Sequence, residues 1–249
     1  MADDKQSRKD RRMNGRKPTK GPGFRDALEA LVTPGKLINI VQIGANDGMI
    51  NDPLHGFLRA HPSETQVILI EPQADLIPIL TETYAFHPRK VIFEAAVGAA
   101  GRLTLYRVRK ACWTDLVLDY GKRWPTYRAP TGVTSGDRDK VAAWVGNYYR
   151  GPLSVDEVIE EVSVEAVPTP VLIQRAGLFQ SLDVLQVDVE GLDDHVIRLS
   201  DIPTWRPHLI HYENAHLGKA REAAIREELA GQGYQVERLG MNSLARRAD

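Results

Sequence analysis

The chain has 249 residues, 43% hydrophobic and 26% charged, with a formal net charge of −1 and a single cysteine, Cys112. That composition fits one globular domain and excludes a disordered chain, an internal disulfide framework, a Cys-cluster metal site and a uniformly basic nucleic-acid binder. No apolar run approaches the ~20 residues of a membrane span, and the opening residues are too polar for the core of a signal peptide, so a cytoplasmic protein is expected.

The near-neutral total hides an asymmetry. Residues 1–20 carry eight basic and three acidic side chains, leaving −6 for the rest. With Met13 as its one large apolar side chain, this arm cannot offset the entropy of ordering, so 1–23 reads as a disordered basic arm and 24–249 as the folded domain. Electrostatic contact with an anionic polymer is the functional alternative for the arm.

From Phe24 the pattern becomes periodic. FRDALEALV spaces Phe24, Leu28, Leu31 and Val32 as one helix face, and LINIVQI (37–43) is a nearly continuous apolar run typical of a buried parallel strand. PLHGFLRAH (53–61) reads as a helix capped by Asp52, QVILIEP (66–72) as a second strand, 73–84 as a helix, and KVIFEAAVG (90–98) and LTLYRV (103–108) as strands. Residues 107–160 have few apolar runs and many turn residues. Eight of the 17 aromatics lie between Tyr106 and Tyr149, which sets this stretch apart from the rest. VSVEAVP (162–168) alternates like an exposed or edge strand, 169–177 reads as a helix, and LDVLQVDVEG (182–191) as a strong strand. DDHVIRLS, PHLIHYEN (207–214) and 218–233 read as helix, strand and helix, and a terminal hairpin closes the chain. Alternating buried strands and helices imply an α/β fold, a doubly wound parallel sheet that binds ligands at the carboxyl ends of its strands.

Those strand ends are where chemistry is expected. After the first strand, Gly44-Ala45-Asn46-Asp47-Gly48 allows a tight turn and close approach of a ligand. It is neither a GxGxxG turn nor a Walker loop, so it suits a nucleoside with little negative charge better than a dinucleotide, although an ordinary βα turn also fits the pentapeptide alone. After the second strand, Glu71-Pro72 places a carboxylate where a ribose diol is received. Asp188 and Glu190 end the 182–191 run and point the same way if the strand extends that far; such a pair can hold a metal, a ribose, an amino group or a proton. His211 and His216 in HYENAH are candidate bases near neutral pH.

VQIGANDG, IEP, AAVG, LDVLQVDVEG and LIHYEN occur in an order and spacing that resembles the FkbM family of S-adenosylmethionine-dependent methyltransferases, over about residues 38–214. The resemblance implies the class I methyltransferase fold, a Rossmann-like doubly wound sheet. It places Gly44, Ala45, Asn46 and Gly48 under the methionine and ribose portions, with Asp47 and Pro72 in the same cofactor-binding set. It assigns Glu71 to the ribose hydroxyls, Ala95 and Ala96 to the adenine, Asp188 to the methionine end and Glu190 to the transferred methyl. Two positions depart from the pattern: Gln42 stands where many class I enzymes have an acid, so Asp188 is expected to take its place, and Gln186 stands where the family often has lysine.

The function implied is O-methylation of a sugar, glycan or other small metabolite. Asp188, Glu190 and His216 are the catalytic candidates, and a divalent ion such as magnesium is left open. Trp113, Tyr120, Trp124, Tyr127, Trp144, Tyr148 and Tyr149 could cover an acceptor by stacking on its apolar face, or simply pack an irregular insertion. Arg107, Arg109, Lys110, Arg123, Arg128 and Arg138 are expected to meet an anionic group on the acceptor. A non-catalytic nucleoside-binding protein and an RNA methyltransferase using the basic arm are the alternatives; the overall charge and the missing Asn-Pro-Pro-aromatic motif argue against nucleic acid. Oligomeric state is left open.

Overall fold

Every residue of Ile38–Ile43 is buried, as in a strand covered on both faces. In the computed structural model, which describes residues 23–118 and 124–248, this strand lies inside a seven-stranded sheet. The strands are β1 (Ile38–Ile43), β2 (Thr65–Ile70), β3 (Lys90–Phe93), β4 (Ala96–Val97), β5 (Gly101–Val108), β6 (Ile159–Val167), β7 (Val184–Val187), β8 (Leu209–Glu213), β9 (Tyr234–Leu239) and β10 (Asn242–Arg247). The helices are α1 (Phe24–Leu31), α2 (His55–Ala60), α3 (Ile77–Thr83), α4 (Arg128–Gly132), α5 (Arg138–Tyr148), α6 (Val155–Val158), α7 (Thr169–Ala176), α8 (Asp193–Leu199), α9 (Ile202–Trp205) and α10 (Gly218–Gly231).

The main sheet runs β3-β2-β1-β7-β8-β10-β9. The first five are parallel, β10 is antiparallel to β8, and β9 is antiparallel to β10, forming the expected hairpin. The chain builds outward from β1 through β2 to β3, then returns to add β7 on the other side of β1. That reversal is the switch point at which open α/β sheets bind ligands.

Strand alternation divides the core. Val41, Ile43, Ile68, Ile70 and Leu185 face Leu172, Ile173, Val196 and Ile225 of the helices on one side. Ile38, Ile40, Val67 and Leu69 face Phe24, Leu28, Phe57, Leu58, Leu80 and Tyr84 on the other. Burying each such side chain contributes about 1.5–3 kcal/mol before the cost of ordering. Fixing both faces also fixes the register, because a one-residue slip would turn polar Gln42 and Gln186 into the wrong layer.

A second, three-stranded sheet, β4-β6-β5, lies beside the first. Here the structure corrects several expectations. The apolar run 90–98 is two strands in different sheets, since the chain leaves the main sheet after Phe93 and enters the second at Ala96. The alternating segment near 162–168 is exposed on one face, as its alternation suggests, but it is not an edge: β6 pairs with β4 on one side and β5 on the other. Residues 107–160 are not largely irregular. They include a 3₁₀ helix at Lys110–Asp115 and α4, α5 and α6. α5 begins at Asp137, whose Oδ1 accepts hydrogen bonds from the Asp139 and Lys140 amides, satisfying two donors that a helix start otherwise leaves open.

Four of the aromatics of this region belong to a small core, the packing alternative. Trp113, Trp144 and Tyr149 pack against a cluster of Val108, Cys112, Val141, Val145, Val158 and Ile159, and Tyr148 lies 4.9 Å from Trp144. Trp113 Nε1 donates to the Val108 carbonyl. Three of the six basic residues are also engaged: Arg107 pairs with Asp75 and Glu160, Lys110 with Asp75, and Arg138 with Asp156. Tyr120, Arg123 and residues 1–22 of the arm lie outside the described residues.

Candidate functional site

The turn after β1 is shaped by glycine and by side chains that bond their own loop. Gly44 has φ +79°, and a Cβ there would lie 1.8 Å from the Asp188 carbonyl oxygen, so only glycine lets the loops after β1 and β7 meet. Gly48, at φ +71°, packs on α3, where a Cβ would lie 2.5 Å from a Tyr84 ring atom. Asp47 is buried; its Oδ1 accepts from the Met49 and Ile50 amides. Asp52 does the same for Leu54 and His55 at the entry to α2, and its Oδ2 accepts from Gln42 Nε2.

These loops surround a cavity of about 920 Å³, mouth included, at the carboxyl edge of β1, β2 and β7 and against the second sheet. Gly44, Ala45, Asn46, Glu71, Pro72, Ala96, Asp188 and Glu190 are on its wall. Asp47, Gly48 and His216 are not: the first two hold the loop from behind, and His216 stands beside Glu190 outside the cavity. His211 is also away from it. It is stacked on Phe24 at 4.1 Å, and burial lowers its pKa to about 4, so it sits neutral in the core.

The wall changes character along its length. Ala95, Ala96, Val97, Leu103 and Leu105 make one end apolar. Glu71 stands between the ends, buried, and burial pushes its pKa up although its hydrogen bonds hold it down. Its Oε1 accepts from the Gln73 amide and from Gln73 Nε2, and its Oε2 accepts from the Asn46 amide. With two lone pairs per oxygen, Oε2 keeps one free position and Oε1 none. The other end is polar. Gln42 and Gln186 are register partners on neighbouring strands, and the Oε1 of each is buried without a hydrogen-bond partner. Asp188 is exposed to the cavity, yet it lies deep in the protein mass. Burial, reinforced by Glu190, pushes its pKa up to about 6.

β7 stops at Val187, so Asp188 and Glu190 do not share a strand face as the alternation suggested; Glu190 instead has φ +57°. It is held there by Lys140 of α5, whose Nζ lies 2.6 Å from the Glu190 carbonyl oxygen and 2.6 Å from Oε2. His216 Nε2 lies 3.5 Å from the same Oε2 and 3.8 Å from Glu213 Oε1. Burial and the neighbouring Asp188, Glu190 and Asp193 push the Glu213 pKa up to about 8. Burial and Lys140 lower that of His216.

Glu190, Glu213 and His216 offer ligand atoms within 4.8 Å of one another. The divalent ion left open by the sequence does not fit this arrangement as it stands, because the Lys140 ammonium already occupies Glu190 Oε2 and would repel it.

Sequence reasoning missed Lys140 and Gln73. Gln73 links the layers by donating to the Thr131 carbonyl and accepting from Thr134 Oγ1. The one usable signal for Lys140 was the Asp137 cap, which sets the start of α5 three residues before it.

A cavity at the switch point of a doubly wound sheet stands where α/β proteins of this class bind their ligands. The chain matches the family model described as the methyltransferase FkbM domain over residues 42–236, and it belongs to this family of methyltransferases. Membership implies S-adenosylmethionine as methyl donor. No curated protein is found to match it in sequence. Among solved structures, the chain is similar to a methyltransferase FkbM from Methylobacillus flagellatus, at 11% identity and a TM-score of 0.49 over 87% of this chain and 45% of that one. It thus spans under half the length of that relative. A precorrin-6y C5,15-methyltransferase from Geobacter metallireducens is similar at 8% identity and a TM-score of 0.42, over 94% and 92% of the two chains. Among the described residues, no helix is long and apolar enough to cross a membrane.

Proposed function

We propose that the chain is an O-methyltransferase acting on a hydroxyl of a sugar, glycan or other small metabolite. The observation that carries this reading is the acid–histidine cluster, Glu190, Glu213 and His216, beside the polar end of the cavity.

The residues on the wall fit the donor. Ala95, Ala96 and Leu105 form an apolar slot for the adenine; Glu71 Oε2 has the free lone pair for a ribose hydroxyl; Gln42, Gln186 and Asp188 are acceptors in want of donors, as the methionine ammonium requires. When bound, S-adenosylmethionine supplies an electrophilic methyl on a positively charged sulfur. The chain's own task is to align the acceptor and remove its proton. His216, with its pKa lowered, is neutral and able to take that proton at Nε2. Glu190, 3.5 Å away, stabilises the imidazolium that results, and Lys140 keeps Glu190 in place. The 44% exposure of His216 leaves it open to an acceptor arriving from solvent.

The test has two parts. Titration calorimetry with S-adenosylmethionine and S-adenosylhomocysteine should give micromolar binding, and no binding of either would end the reading. A screen of hydroxylated acceptors should then give a methylated product whose formation falls at least about tenfold in His216→Asn, with donor affinity unchanged. Product methylated on nitrogen or carbon would overturn the O-methyl assignment.

A further inference from the structure

Resting on the donor reading above, we propose that Arg128 binds the carboxylate of the donor's methionine moiety, so that the cavity selects the whole amino-acid zwitterion and not adenosine alone.

Arg128 is the first residue of α4, delivered from the second layer onto the cavity wall. Its side chain is 18% exposed, yet little of its hydrogen-bonding capacity is used. Nη2 donates to the Ile50 carbonyl at 3.1 Å. Nε is buried with no hydrogen-bond partner; its nearest acid, Asp47 Oδ2, is 3.9 Å away, at ion-pair but not hydrogen-bond distance. A guanidinium carries five N–H donors in a planar fork suited to a carboxylate. A buried donor without an acceptor is costly unless a ligand supplies one. The sequence also makes room for this group: a Cβ on Gly132 would lie 2.6 Å from Arg128 Nη1.

The same cavity holds the opposite imbalance. Gln42 Oε1 and Gln186 Oε1 are buried acceptors without donors, and the Asp188 carboxylate opens onto the same space. One group of unused acceptors and one guanidinium with donors to spare in a single cavity complement a ligand with an ammonium and a carboxylate on adjacent atoms. A bare nucleoside satisfies neither. The remaining basic residues that sequence offered for an anionic acceptor are mostly held in ion pairs elsewhere, whereas Arg128 faces this cavity.

The test is calorimetry on the full chain with three adenosyl compounds. S-adenosylmethionine has both groups, decarboxylated S-adenosylmethionine lacks only the carboxylate, and 5′-methylthioadenosine lacks the whole amino-acid end. Wild type should bind the decarboxylated compound about 10- to 100-fold more weakly than S-adenosylmethionine. Arg128→Gln should weaken S-adenosylmethionine by a similar factor and leave the other two unchanged, which also shows that the variant is folded. Arg128→Lys, which keeps the charge without the fork, should fall between. Equal wild-type affinity for the first two compounds overturns the proposal, as does an equal loss on all three in Arg128→Gln. An unchanged S-adenosylmethionine affinity in that variant assigns the guanidinium to some other anion and overturns it too. If none of the three binds wild type, the donor reading itself fails and this inference with it.

Discussion

Lys140 Nζ lies 2.6 Å from both the carbonyl oxygen and Oε2 of Glu190, so one ammonium fixes the backbone and the side chain of a residue at positive φ. The two residues come from different layers, α5 over the second sheet and the loop after β7 in the main sheet. The contact is therefore a strap between the layers as well as a support for the cluster at His216. Replacing Lys140 with Met should drop the melting temperature by roughly 2–6 °C, from the loss of about 1–2 kcal/mol of charge-assisted hydrogen bonding. The rate of methyl transfer should fall with donor affinity nearly unchanged. A normal rate with weakened donor binding would place Lys140 in the donor site instead.

Gly44 offers a sharper test of the loop. Its φ of +79° and the 1.8 Å that would separate a Cβ from the Asp188 carbonyl oxygen leave no way to fit a side chain without moving backbone. Gly44→Ala should cost about 3 kcal/mol or more and abolish donor binding. Gly177→Ala, at φ +62° with nothing within 4 Å, should cost only about 1 kcal/mol and leave binding intact. Similar effects from the two, measured by denaturant unfolding, would mean that the loops after β1 and β7 yield easily.

Glu71 and Glu190 should separate binding from turnover. Glu71 joins the β1 turn to the end of β2 through Asn46 and Gln73, and it keeps one free acceptor position facing the cavity. Glu71→Ala should weaken S-adenosylhomocysteine binding at least about tenfold. Glu190→Ala should mainly slow turnover. Equal affinity for wild type and Glu71→Ala in calorimetry would remove the ribose assignment.

The raised acids set a pH dependence. Asp193 and Glu213 have pKa values pushed up to about 8 by burial and by neighbouring carboxylates. A carboxyl whose folded pKa exceeds its unfolded value binds protons more tightly when folded, so its contribution is present at low pH and lost as pH rises through the folded value. His211 works in the opposite sense, but only below its unfolded value near 6.5. Between pH 6.5 and 8 the acids act without it, and the melting temperature of the unliganded protein should fall as pH rises. Glu213→Gln should flatten that slope, since Glu213 Oε2 has no hydrogen-bond partner to lose. A slope that is unchanged in the variant would show that Glu213 titrates normally. Asp188, at about 6, adds a ligand effect: S-adenosylmethionine should bind more tightly as pH rises from 5 to 7, and Asp188→Asn should remove that gain.

How much of this could be read from sequence follows from where the determinants lie. β1, β2 and β7 were legible because burial on both faces forces uninterrupted apolar runs, and the residues that follow them mark the cavity. The second layer was much less legible. α5 buries Val141 and Val145 but carries Trp144 and Tyr148 only partly buried, so its pattern does not read as a clean apolar stripe. The break between β3 and β4 turns on Glu94, one polar residue inside an apolar run that otherwise looks continuous. Lys140 was hidden for a different reason: its site depends on a contact 50 residues away, to Glu190, which no local pattern encodes.

The aromatic residues give a final discriminating experiment. As an acceptor cover, they would be expected to change acceptor KM when altered. As packing, they should change stability instead. Trp113 donates from Nε1 to the Val108 carbonyl at 3.0 Å and packs on the cluster around Cys112 and Val145, off the cavity wall. Trp113→Phe removes the donor and part of the ring, which should cost about 1–2 kcal/mol and a few degrees in melting temperature. Acceptor KM should stay the same, because the substitution alters the mini-core and not the wall. A changed KM with unchanged stability would return Trp113 to the acceptor site and require that 110–118 move over the cavity when acceptor binds. The same comparison at Trp144, whose ring lies 4.9 Å from Tyr148 on α5, tests whether that helix serves Glu190 solely through Lys140. Trp144→Leu should then lower stability and methyl-transfer rate together, as loosening of the strap requires, with KM unaffected.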